Sequence, residues 1–119
     1  MKLSPTMQKT LNQIIEFIDT AKRFNNYHDY YMFINLRHAV NRKDYEELVE
    51  RYEWKYTELI KSKYFEEIYL GTWKRAREND IALTSGVSSS TLRALEERGY
   101  IEIIVDGRDA VDHVKLLKR

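Results

Sequence analysis

Apolar residues recur at helical spacing in the first part of the chain. Met7, Leu11, Ile14, Ile15, Ile18 and Ala21 share one face. Ser4-Pro5 stands in front of them as a helix start, the serine able to cap and the proline tolerated at the first helical position. The pattern predicts a helix that runs to about Phe24, where Asn25-Asn26 interrupts it. Residues Tyr27–Val40 are rich in aromatics (Tyr27, Tyr30, Tyr31, Phe33) and read as a second helix, broken at Asn41. The most regular seam follows: Tyr45, Leu48, Val49, Tyr52, Tyr56, Leu59 and Ile60 form one continuous apolar face, with Asp44 as the expected N-cap. Trp54 falls about 180° around that helix from Tyr45, and so needs a second cover, either the amino-terminal helix or another subunit. A further helix, about Tyr64–Arg77, carries Phe65, Ile68, Tyr69, Trp73 and Ala76. Gly71 inside it has no role in the pattern and costs up to ~1 kcal/mol relative to alanine.

The densest signal lies in residues 79–105. Ile81 and Ala82 read as inner positions of a short helix, and Gly86 as a turn at positive φ. Ser88 is the expected N-cap of a second helix whose inward face is Val87, Leu92 and Leu95. Gly99 sits where a left-handed residue ends that helix. The spacing is that of a helix-turn-helix. Tyr100–Val105 then reads as a strand, Asp106-Gly107 as a hairpin turn, and His113–Leu117 as the returning strand.

The order Ile81-Ala82-x-x-x-Gly86-Val87-Ser88-x-x-Thr91-Leu92, followed by Leu95-Glu96-x-Arg98-Gly99-Tyr100-Ile101, resembles the winged helix-turn-helix transcriptional regulators. The resemblance spans residues 63–119 and departs from the family's pattern at the end, where Leu116-Leu117-Lys118-Arg119 replaces the usual Leu-Thr and glycine. It implies a mostly α (α+β) protein that is one compact domain overall. Residues 1–62 would be an N-terminal helical region for packing and dimerisation, and residues 63–119 the winged helix-turn-helix with its small β-hairpin wing. The Tyr64–Arg77 helix would open that winged domain and pack across both motif helices.

Composition narrows the classes. At 119 residues the chain holds one real core. No apolar run approaches the roughly 20 residues of a membrane span, no secretion signal is evident, and cysteine is absent, so disulfides and thiolate chemistry are excluded. The sequence reads as cytoplasmic. Net charge is +1 and both halves are nearly balanced, which argues against tight non-specific DNA binding. Lys61, Lys63, Lys74, Arg75 and Arg77 nonetheless cluster before the motif, where cations position a protein on phosphates.

The candidate base-reading face is the outward side of the second motif helix. It comprises Ser88, Ser89, Ser90, Thr91 and Arg93, with Glu97 spaced to orient Arg93. In the wing, Arg108 either reaches a phosphate or pairs with Asp109 or Asp112. Tyr45, Tyr52, Trp54 and Tyr56 are the candidate dimer surface. The histidines His28, His38 and His113 lack metal-ligand spacing, and neither a nucleophile elbow nor a phosphate loop is present, so no enzyme, metal or cofactor is expected. The expected function is sequence-specific binding of double-stranded DNA by a homodimer that regulates transcription. The alternatives are a winged-helix module that binds a protein partner in a replication or mobile-element assembly, and a regulator whose aromatic amino-terminal region holds a ligand that no polar constellation names.

Overall fold

Asn26 and Asn41 start two helices by the same device. Each side-chain oxygen accepts the backbone N–H three residues on, from Asp29 and Asp44, at 2.9 Å. Each amide then donates back to that aspartate's carboxylate, so one asparagine–aspartate pair closes the first turn. The N-cap of the long middle helix is therefore Asn41, three residues ahead of the Asp44 expected from the seam. Ser4 does the same for the first helix, accepting the Met7 N–H at 3.2 Å.

The computed structural model describes residues 2–84, 86–104 and 113–119. Along them run α1 (Pro5–Arg23), α2 (Tyr27–Leu36), α3 (Arg42–Ile60), a π-helical turn (Phe65–Leu70) leading into α4 (Gly71–Asn79), β1 (Ile81–Leu83), α5 (Ser89–Glu97), β2 (Ile101–Ile104) and β3 (His113–Leu116). The chain is mostly α with one small antiparallel sheet, an α+β protein. The hairpin tip, with Asp106, Gly107 and Arg108, lies outside the described residues.

Two compact units emerge, and they do not follow the expected division at residue 62. One joins the segment up to Lys22 with Lys74–Arg119; the other is Arg23–Trp73. The reason is the apolar face of α1. Met7, Leu11, Ile14 and Ile18 are spaced by four, three and four residues, a stripe one side of a helix wide. They enter a single cluster with Ala82, Leu92, Leu95, Ile101, Val114 and Leu116. Thus α1, rather than the Tyr64–Arg77 segment, supplies the helix that packs on α5 and the sheet.

The sheet has the order β1–β3–β2. In it Ala82 faces Val114 across one ladder and Ile103 faces Val114 across the other. This overturns the expected first helix of the motif. Asp80 adopts φ 55°, in the left-handed region, and ends α4 there. Its carbonyl then accepts the Leu116 N–H at 2.8 Å, which commits Ile81, Ala82 and Leu83 to the edge of β3. The turn at Gly86 consequently joins a strand to a helix.

The Arg23–Trp73 unit is held by rings. Tyr27 is buried, with the rings of Phe65, Trp73 and Tyr56 centred 5.2, 6.0 and 6.1 Å from its own. Tyr31 brings in Tyr52 and Tyr56 from α3. The α3 seam is thus half-buried from Leu48 to Leu59, exposed at Tyr45 and Ile60, and lacks a fully buried residue. Trp54, opposite that seam, remains 67% exposed.

Candidate nucleic-acid interface

The helix that carries the candidate site is fixed at both ends and underneath. Gly86 takes φ 86° in the turn before it, where the Val87 N–H donates to the Thr84 carbonyl at 3.2 Å. Gly99 takes φ 79° after it. The Gly99 N–H reaches the Glu96 carbonyl at 3.0 Å and the Tyr100 N–H reaches the Leu95 carbonyl at 3.1 Å, the paired bonds of a Schellman ending. Leu92 and Leu95 face the core with 1% and 0% of their surface exposed.

Everything else on α5 follows from that anchoring. Ser88, Ser89, Ser90, Arg93 and Glu97 are exposed together on the outer side, as the spacing predicts, whereas Thr91 is half-buried. Two local expectations change. Ser88 occupies the N-cap position but makes no capping hydrogen bond; its hydroxyl pairs with that of Ser90 at 2.8 Å. Among the described residues no ion pair joins Glu97 to Arg93, so the arginine is not oriented by it. The carboxylate that does structural duty is Glu96, which accepts the Ile103 N–H at 2.8 Å. That bond ties the last turn of α5 to β2 and occupies a backbone donor on the sheet's edge strand. The sequence gives no sign of it, because the partner lies across the helix–strand turn.

The remaining candidates lie elsewhere. Lys74 and Arg75 are exposed on α4, and Arg77 is half-buried there. Arg108 falls outside the described residues. Of the proposed dimer residues, Tyr45 and Trp54 are exposed, while Tyr52 and Tyr56 are half-buried in the ring cluster of their own unit. Burial also pushes the Tyr27 phenol far above its ordinary value, and those of Tyr30, Tyr31 and Tyr56 upward as well. The described residues hold no group of three or more metal-ligating side chains, and no helix is long and apolar enough to cross a membrane.

No family of proteins, curated protein or solved structure matches this chain.

Proposed function

We propose that this chain binds double-stranded DNA through the exposed face of α5 and regulates transcription in the cytoplasm as a homodimer. The observation that carries the reading is the rod itself. It is a nine-residue helix seated by Leu92 and Leu95, with three serines and one arginine exposed at its N-terminal, outward side. A helix of that width enters a major groove, where a guanidinium pairs with guanine and hydroxyls reach bases or phosphates. The strand β1 in place of a first motif helix leaves this face unchanged, because the sheet and α1 support α5 from below. Lys74 and Arg75 supply phosphate contacts that carry no sequence information. Tyr45 and Trp54 form the dimer surface, and a palindrome calls for two recognition helices about 34 Å apart. The reading requires no enzymatic step and no cofactor.

The test is selection from a random duplex pool, followed by titration of the enriched site. Arg93→Ala should lose about 1–3 kcal/mol of preference for the selected base. Lys74→Ala should weaken all sequences alike and shallow the salt dependence by about one phosphate. Sedimentation of the complex should give two chains per palindrome. Retention of full preference by Arg93→Ala rejects the α5 face, and failure to enrich any duplex rejects DNA binding.

A second reading, docking to a protein partner, draws on a different observation. Trp54, Ile68 and Tyr64 are exposed at 67%, 53% and 50%, more apolar surface than a DNA contact uses. Co-purification with a protein and no salt-sensitive duplex binding would favour it.

A further inference from the structure

A groove of about 530 Å³ runs between α2 and α3, entirely within the Arg23–Trp73 unit. Its floor is apolar: Phe24, Met32, Phe33, Leu36 and Val49. The volume lies in the range of small-molecule sites, roughly 300–1,000 Å³, which are lined by apolar side chains with a few polar groups that fix orientation.

The charged groups sit at opposite ends. His28 and Asp29 come from the first turn of α2 and Glu53 from the facing part of α3; Arg37 follows the last turn of α2, and Tyr45 stands at that same end of α3. The nine helical steps from His28 to Arg37 separate the two ends by about 13 Å. At the acidic end the carboxylates are already occupied. Glu53 Oε1 lies 2.9 Å from His28 Nε2, and Asp29 holds the Asn26 amide at 2.9 Å with His28 Nδ1 at 3.5 Å. At the other end no carboxylate of the described residues pairs with Arg37, which is exposed and lines the groove, as does Tyr45. Arg23 lies outside the lining, 5.1 Å from the centre of the Phe33 ring. The positive end therefore has unspent donors, whereas the negative end has its counter-charge.

We infer that the α2–α3 groove binds a small amphipathic carboxylate, its acid group on Arg37 and the Tyr45 hydroxyl and its apolar body along Met32, Phe33 and Val49. A guanidinium takes a carboxylate through two parallel N–H donors, and apolar surface beside it removes the chain from water. The site has no residue on α4 or α5 and shares only Tyr45 with the surface that the DNA-binding reading assigns to the dimer.

Octanoate is the probe, with octylamine as its charge-reversed counterpart, each titrated by calorimetry into the full chain and followed by amide NMR shifts. Saturable octanoate binding is expected, with shifts confined to α2 and α3 and octylamine at least tenfold weaker. Arg37→Ala should weaken octanoate at least tenfold, Arg37→Lys by less, and Tyr45→Phe several-fold. These are surface positions, and unchanged thermal melts will show that each variant is folded. The inference is overturned if octanoate does not saturate, if octylamine binds as well, or if Arg37→Ala binds octanoate as the parent does.

Discussion

Gly71 follows a rule that helix propensity alone misses. Its N–H donates to the Glu66 carbonyl, the wide bond that closes the π-helical turn. A Cβ built on Gly71 would stand 3.0 Å from that same oxygen. In an ordinary helix interior, replacing glycine by alanine gains up to ~1 kcal/mol. Here the methyl and the hydrogen bond compete for one backbone atom, and the carbonyl cannot retreat without lengthening the bond it accepts. Gly71→Ala is expected to lower stability by about 1 kcal/mol, read as a fall in the thermal midpoint, and a rise would refute the close-approach account. Gly86 and Gly99 differ in kind. Among the described residues nothing lies near a Cβ at either, and their positive φ is what demands glycine.

At the scale of elements, α1 and β1 owe their places to tertiary partners. A three-residue apolar run is too short for periodicity to separate helix from strand, and Ile81–Leu83 becomes a strand because β3 arrives from residues 113–116 to pair with it. The two ends of α5, by contrast, were legible at Gly86 and Gly99, because a positive φ is a local demand with a local signature. The amphipathic faces of α1 and α3 were legible for the same reason, but the surfaces they meet were not, since a stripe of Met7, Leu11, Ile14 and Ile18 says only that something apolar must cover it. The exposed side of α5 could be read from the sequence; the α2–α3 groove could not, since Arg37 and Tyr45 come to line one groove only through the packing of two helices. The role of α1 has a direct check. Ile18 is 0% exposed in the cluster that includes Leu92 and Val114. Ile18→Ala is expected to cost about 2–5 kcal/mol. Amide exchange should accelerate across α5 and the sheet, and exchange confined to α1 would show that the helix does not hold that core.

For the molecule as a whole, the two units respond to pH through different chemistry. In the Arg23–Trp73 unit the tyrosines must remain neutral to remain buried. Burial raises the folded-state value of Tyr27 above the ordinary 10.0, so the unfolded chain loses its proton first. The neutral phenol's contribution is complete below about pH 10 and is lost as the pH climbs toward the folded value, because above 10 the unfolded state binds fewer protons. The melting temperature should therefore drop steeply above about pH 10, and Tyr27→Phe should drop less steeply, measured by circular dichroism at stepped pH. Parallel slopes would mean that Tyr27 does not set the alkaline limit. The other unit has an acid-sensitive clasp. Arg119 holds Asp19 through two hydrogen bonds of 2.7 and 2.9 Å, which keep that carboxyl below its usual value. Its contribution is present above the ordinary carboxylate value and fades as pH falls through the lowered one.

The split ancestry of the sheet-bearing unit bears on how the chain is made. A ribosome delivers α1 long before the residues that cover it. At roughly 5–20 residues per second, the roughly sixty positions between Ile18 and Ala82 occupy about 3–12 s of synthesis. Throughout that interval the nascent stripe of Met7, Leu11, Ile14 and Ile18 has no native cover. The newborn polypeptide thus offers holdase chaperones a helical, leucine- and isoleucine-lined target until β1, α5, β2 and β3 have all emerged.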